Sequence, residues 1–293
     1  MTSPAPMIEH AVSADGTRIG FERLGSGPAL VLVQGSMGTA YTYRELAQAL
    51  ADTFTVVVPD RRGRGLSPHP FTAEYTVEDD VRDLDAVLQA TGARLVFGLS
   101  SGGDITLKAA LAIPSIEKIA VYEPAIFPAG VSRKGVERFN SYAARADLAG
   151  MLVTGMKVGQ FGPAFLRAAP DWLVKLAVQS IMRKEAKSGS GGYASMAELA
   201  LAFQYDFAIV RSMDGSIPSF KALIQPVLLL GGSKSPTYLG TSLDQLERVI
   251  QSARRVTLDG LDHSAAWNID RQRNPHGNPK VVAEQLKDFF ATP

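Results

Sequence analysis

Short, unbroken apolar runs alternate along this chain with stretches in which apolar residues recur every three or four positions. The runs cover residues 28–33, 54–59, 95–97, 119–122, 226–230 and 255–258. Runs of this length without polar alternation suit strands buried on both faces of a parallel sheet. Between them, residues 39–52, 76–90, 102–112 and 279–291 carry helical patterns, and Thr76 with Asp79 three positions on forms a variant capping box. Ahead of all these, residues 8–12 and 18–22 flank the turn signal Asp15-Gly16, which predicts a hairpin. Strands alternating with helices predict an α/β fold built from βαβ units with right-handed crossovers.

The rhythm breaks once. From about residue 130 to 213 the pattern is helical throughout, with a capping box at Ser195 and Glu198 and a flexible Ser188-Gly189-Ser190-Gly191-Gly192 link. Alternation resumes at Pro226. The segment reads as a helical insertion between two strands of one sheet. The functional reading is a cap over an active site; the plain one is a structural elaboration. The expected division is a core of residues 1–128 and 214–293 and a cap of residues 129–213, integrated as one domain.

Composition narrows the chemistry. The chain has 293 residues, 46% of them hydrophobic, so a large core can form. A net charge of +1 with no long run of one sign predicts neither a nucleic-acid nor a membrane partner. There is no cysteine, which excludes disulfides, thiolate metal sites and cysteine nucleophiles. Residues 1–10 lack the basic start and apolar run of a secretory signal, and no apolar stretch is long enough to span a bilayer. A cytoplasmic location is therefore the expectation. No metal-ligand cluster or cofactor motif stands out, so neither metal nor cofactor is expected.

The sequence Phe97-Gly98-Leu99-Ser100-Ser101-Gly102-Gly103 follows a predicted strand and opens a predicted helix. Gly98, Ser100 and Gly102 make G-x-S-x-G. A serine on a sharp strand-to-helix turn exposes its hydroxyl above the sheet edge, and small residues two positions either side let strand and helix approach. The helix's positive end also favours developing negative charge. Ser100 is the candidate nucleophile. Ser101 is the alternative hydroxyl, with the more natural role of lending its N–H to an oxyanion hole.

Four signatures in order make the chain resemble the α/β-hydrolase family, from about residue 8 to the end. They are Gln34-Gly35-Ser36-Met37-Gly38, the loop Asp60-Arg61-Arg62-Gly63-Arg64-Gly65-Leu66-Ser67, the turn at Ser100, and the late His263. The resemblance implies a mostly parallel eight-stranded sheet flanked by helices, with a cap after strand six. It implies oxyanion donors at the Ser36 and Ser101 N–H groups. Family members often carry His-Gly where this chain has Gln34-Gly35, but backbone donors survive a side-chain change. The arginine-rich loop is expected to position the chain after the fourth strand rather than to bind an anion.

Of the four histidines, His263 follows the last predicted strand, the place for a catalytic base near neutral pH. His10 and His276 fall in polar segments, and His69 lies in the loop after the fourth strand. The family's acid commonly follows the seventh strand, yet Leu230-Gly231-Gly232-Ser233-Lys234-Ser235-Pro236 contains no carboxylate. A histidine without an orienting carboxylate loses tautomer control. Glu123, just past the sixth strand, ranks first as the acid, ahead of Asp262 and Asp244. In that placement the chain resembles the zearalenone-type lactonases.

Large apolar residues in cap and loops point to an apolar substrate, with Gln34, Met37, Phe127, Trp172 and Trp267 as candidate pocket residues. The leading expectation is a serine hydrolase cleaving a small apolar carboxylic ester or lactone. Carbon–carbon bond hydrolysis, lyase, cyclase or perhydrolase chemistry on the same triad is the alternative, and a non-catalytic ligand receptor the third reading. A homodimer is possible from the sequence.

Overall fold

The computed structural model describes residues 5–271 and 273–291; part of the amino-terminal stretch read for a secretory signal lies outside them. Strands β1 (Met7–Val12) and β2 (Arg18–Gly25) form the expected hairpin. The remaining strands are β3 (Ala29–Val33), β4 (Thr55–Pro59), β5 (Leu95–Leu99), β6 (Lys118–Tyr122), β7 (Val227–Gly232) and β8 (Ala253–Leu258). They make one eight-stranded sheet in the order β1-β2-β4-β3-β5-β6-β7-β8, parallel from β4 to β8. The chain reverses its direction of winding between β3 and β5. In open α/β sheets that switch point is where the carboxyl strand ends splay and ligands bind.

The apolar runs divide their side chains between two faces. In β3, Val31 and Val33 point into one core cluster, and Leu30 and Leu32 into the other. The first cluster is closed by α2 (Val77–Thr91), α3 (Ser101–Ala112) and α9 (Thr237–Val249), the second by α1 (Arg44–Leu50) and α10 (Pro279–Ala291). Burying one such Leu or Val stabilises the fold by about 1.5–3 kcal/mol. Burial on both sides is why these strands read as unbroken apolar runs.

Two expected elements differ in detail. The helix predicted from residue 39 opens with a 3₁₀ turn, Ala40–Tyr43, closed by a reciprocal Thr39–Thr42 capping box, before α1 begins. Strand β8 lies at the sheet's edge and is only partly buried, with Arg254 and Arg255 in it, which suits an edge that must stay unpaired. The capping boxes at Thr76–Asp79 and Ser195–Glu198 are present.

Between β6 and β7 the chain forms the expected helical cap: α4 (Arg133–Ala143), α5 (Leu148–Val158), α6 (Ala164–Ala168), α7 (Asp171–Ser188) and α8 (Met196–Ser212). Its own small core stacks Phe139 on Phe207, with ring centroids 4.0 Å apart, beside Met151. Helix α8 packs against α2 and α3 and so ties the cap to the core. Among the described residues, no helix is long and apolar enough to cross a membrane.

Candidate active site

Register brings the candidate residues to one edge. Val33 pairs with Gly98, Leu99 with Tyr122, and Tyr122 with Leu230. The residues just past β3, β5, β6 and β7 therefore lie side by side. Five non-glycine residues have positive φ among the described residues, and three of them are on this edge: Met37 at 63°, Ser100 at 55° and Glu123 at 46°. Such conformations cost about 1–3 kcal/mol each and cluster where a side chain must be aimed.

Ser100 sits between β5 and α3, buried, with its N–H donating to Tyr122 O at 3.0 Å. The N–H groups of Gly103 and Asp104 close back on Ser100 O, at 2.8 and 3.1 Å. Helix geometry leaves the Ser101 N–H without an intrahelical partner, free for an anion. The two flanking glycines are steric necessities. A Cβ on Gly98 would stand 2.3 Å from both Gly102 O and Thr106 Oγ1, and one on Gly102 would stand 2.3 Å from Val33 O.

His263 lies in the loop after β8, and its Nδ1 is 2.7 Å from Glu123 Oε2. A carboxylate only accepts, so Nδ1 carries the proton and the Nε2 lone pair remains as a base. Glu123 is 1% exposed, and its Oε1 accepts the Gly232 N–H at 2.7 Å. Tyr122, the preceding residue, donates its hydroxyl to Asp262 O at 2.8 Å and anchors the histidine loop from the same strand end.

The rival acids are engaged elsewhere. The Asp262 carboxylate accepts from Ser264 N at 2.9 Å and Ser264 Oγ at 2.7 Å. Asp244 lies on α9 and pairs with Arg255. Gly232, the last residue of β7, is sterically closed to any side chain, because a Cβ there would meet Leu261 O at 2.3 Å. His10 and His276 are exposed, and His69 packs against the cap with Nδ1 3.1 Å from the Tyr205 hydroxyl.

The two expected oxyanion residues are adjacent, Ser36 Oγ lying 3.3 Å from Ser101 Oγ. The arginine-rich loop holds them. Arg61 donates from Nη1 to Gln34 O at 3.3 Å, and Arg64 from Nη1 to Gly38 O at 3.2 Å. Arg61, Arg62 and Arg64 are all buried, and each is ion-paired internally, to Asp80 and Asp206, to Asp83 and Asp15, and to Asp206. Each guanidinium is thus ion-paired and two of them also bond loop carbonyls, which holds the backbone of the Gln34–Gly38 loop in place.

The pocket candidates are brought together only in part. Phe127 stacks on Tyr238 with centroids 4.5 Å apart, next to the strand end that carries Glu123. Met37 is half-buried in the loop bearing Ser36. Gln34 is fully buried, with its Nε2 donating to Pro59 O at the end of β4 and its Oε1 without a protein partner among the described residues. Trp267 packs on the core cluster beneath α1 and α10. Trp172 departs from expectation. It is 65% exposed and lines a groove on the cap's outer surface with Tyr142, Lys175 and Leu176, because α7 buries only Val174.

Two further side chains bear on the site, one of the large apolar cap residues and one carboxylate that sequence did not single out. Phe161, just past α5, stacks on His263 with centroids 5.0 Å apart and an interplanar angle of 23°, so the cap covers one face of the imidazole. Asp104, on the first turn of α3, is fully buried and has no side-chain hydrogen-bond partner among the described residues, the Ala125 N–H alone facing its carboxyl. Burial pushes its carboxyl well above the usual range, against weaker opposition from the Ala125 N–H and Arg61, which favours the neutral acid. A carboxylate in the Ser-Ser-Gly-Gly-Asp run was the only available signal for it.

Comparison with known proteins identifies the family. The model of the alpha/beta hydrolase family matches residues 30–284. A solved alpha/beta hydrolase from Sphaerobacter thermophilus superposes with a TM-score of 0.74 at 31% identity, over 96% of this chain and 100% of that one. A 2-(acetamidomethylene)succinate hydrolase of Mesorhizobium japonicum is 23% identical over 82% of each chain. A cis-3-alkyl-4-alkyloxetan-2-one decarboxylase of Shewanella oneidensis is 33% identical over 91 residues, 30% of this chain and only 29% of that protein's length. A parallel sheet wound about a strained serine turn, matched along nearly its whole length, places the chain in the alpha/beta hydrolase family.

Proposed function

We propose that the chain is a serine hydrolase that cleaves a carboxylic ester or lactone of an apolar substrate through an acyl-enzyme. The observation that carries this reading is the 2.7 Å contact of His263 Nδ1 with buried Glu123, on the strand edge that also bears Ser100. The acid's place past β6 resembles that in the zearalenone-type lactonases.

In this mechanism His263 Nε2 takes the Ser100 proton as Oγ attacks the substrate carbonyl. Glu123 holds the tautomer and offsets the imidazolium charge. The Ser36 and Ser101 N–H groups receive the oxyanion, each donor worth about 2.7–4 kcal/mol in the transition state. The intermediate collapses, His263 protonates the leaving alkoxide, and the acyl group stays on Ser100. Water, deprotonated by the same histidine, then attacks the ester carbonyl, and the acid leaves with Ser100 reprotonated. For a lactone, alcohol and acid depart as one molecule. Phe127, Met37 and Phe161 supply apolar walls.

The test is labelling with a fluorophosphonate, with the adduct mapped by mass spectrometry, beside turnover of a panel of esters and lactones. Labelling at Ser100, silent in Ser100→Ala and His263→Ala, with ester or lactone turnover, supports the reading. An unlabelled wild type overturns it. A second reading, cleavage of a different bond by the same residues, is favoured by the names of two relatives, a decarboxylase and a hydrolase of an acetamidomethylene compound. Turnover of β-diketones in preference to esters would select it.

A further inference from the structure

We infer that Asp206, on cap helix α8, is a positioning residue that sets the geometry of the oxyanion hole through Ser101 and the Gln34–Gly38 loop. The inference rests on the serine-hydrolase reading above.

The contacts run from the cap to both oxyanion residues. Asp206 Oδ1 accepts from Ser101 Oγ at 2.9 Å and from Arg61 Nη1 at 2.7 Å, and Oδ2 accepts from Arg64 Nη2 at 3.1 Å. Arg61 Nη1 also donates to Ser101 Oγ at 3.2 Å and to Gln34 O at 3.3 Å, while Arg64 Nη1 reaches Gly35 O at 3.4 Å and Gly38 O at 3.2 Å. Asp206 is 0% exposed and both arginines are buried. Asp80, on α2, is the other carboxylate against Arg61, at 3.1 Å, and it accepts the Tyr75 hydroxyl. Asp60 faces Arg64, and Asp104 faces Arg61 and Asp206, without an ion pair; of the carboxylates bonded to these two arginines, Asp206 is the one that touches both.

Proton placement follows from these partners. Burial alone would raise the Asp206 carboxyl, but Arg64 and Arg61 and the hydrogen bonds from Arg61 and Ser101 hold it below its ordinary value. As a carboxylate it only accepts, so the Ser101 hydroxyl must donate to it. The Ser101 oxygen is then left as an acceptor, and the Ser36 hydroxyl, 3.3 Å away, donates to it. One directed chain, Ser36 to Ser101 to Asp206, thus fixes the two residues whose N–H groups face the oxyanion. A preorganised donor pair is effective only while it stays aimed at the developing charge. Asp206 touches neither substrate nor nucleophile; it aims the groups that do.

A clamp that merely held the cap would affect stability and substrate binding, not the donors' aim. The discriminating measurement is the second-order rate of fluorophosphonate labelling at Ser100, which needs the same oxyanion hole, together with kcat, KM and Tm on a reactive ester. In Asp206→Asn the labelling rate and kcat are expected to fall about tenfold or more, with KM within about twofold. Ser101→Ala leaves the backbone N–H, both arginines and Asp206 in place and removes only the hydroxyl link. It is expected to lose a similar factor, and the double variant little beyond either single one, because the two act in one chain.

Wild-type labelling and kcat in both variants, whatever their Tm, overturns the inference and leaves the serine-hydrolase reading intact. If Asp206→Asn does not fold, Ser101→Ala decides alone, a slowed rate supporting the inference and an unslowed one overturning it. A wild type that is not labelled removes the reading beneath the inference, and the inference with it.

Discussion

Glu123 Oε2 meets His263 Nδ1 at 2.7 Å across a sequence separation of 140 residues, and the same carboxyl takes the Gly232 N–H through its other oxygen. The acid is thereby fixed at both oxygens and points in one direction only. That geometry supports the proposed role of Glu123 in orienting the imidazole.

Replacing Glu123 by Gln keeps the shape and removes the charge. The histidine then has no carboxylate to hold its tautomer, and kcat is expected to drop about 10³- to 10⁴-fold. Adding Gly232→Asp, which places an acid at the end of β7, should not recover activity, since its Cβ would meet Leu261 O at 2.3 Å. Steady-state kinetics of the single and double variants check both statements.

Gly98→Ala forces a methyl group to within 2.3 Å of Gly102 O and Thr106 Oγ1. Strand and helix must separate at the serine turn. Overpacking of this kind costs about 1–3 kcal/mol. A chain of this size should lose about 2–4 °C of Tm for each kcal/mol, which a thermal melt reads directly.

Phe161→Ala uncovers the imidazole face that the cap now shields. A contact of the Phe161 ring with an apolar substrate, as proposed, is worth about 0.5–1.5 kcal/mol, so KM for an apolar ester should rise about 2- to 12-fold in the variant. Equal kcat and KM in the variant and the wild type would remove Phe161 from the pocket wall.

Asp104 yields a pH signature. Its folded-state pKa is raised by burial, so its contribution to stability is fully present below the ordinary carboxylate range and is lost as pH rises through the folded value. Asp104→Asn carries no such charge. The Tm advantage of the variant over wild type should therefore widen from pH 4 to pH 9 in a series of melts.

The elements that sequence made legible are those whose pattern is imposed by burial on both faces. Leu30 to Val33 must be apolar without interruption because successive side chains enter opposite cores, and the run announces the strand. Ser100, His263 and Glu123 stood out as candidates because each follows a predicted strand, and the absence of a carboxylate from residues 230–236 directed attention to Glu123. Asp206 did not stand out. Its only signal was a single carboxylate in the apolar run of α8, and its partners Arg61 and Arg64 lie 145 and 142 positions away. Trp172 misled because an aromatic residue in a cap segment carries no mark of which surface it faces; the outcome depends on how α7 packs.

Placing the acid past β6 separates the reacting groups from the inserted helices. Ser100 and Glu123 directly follow β5 and β6 and His263 lies in the loop after β8, whereas the first cap helix begins only at Arg133. A chimera that exchanges residues 129–213 for another protein's insertion would keep every reacting side chain in register. It would surrender Asp206 and Phe161, leaving Arg61 and Arg64 buried without that counter-charge. A transplanted cap must therefore bring its own carboxylate to those two guanidinium groups, which makes the replaceable part of this molecule less interchangeable than its borders suggest.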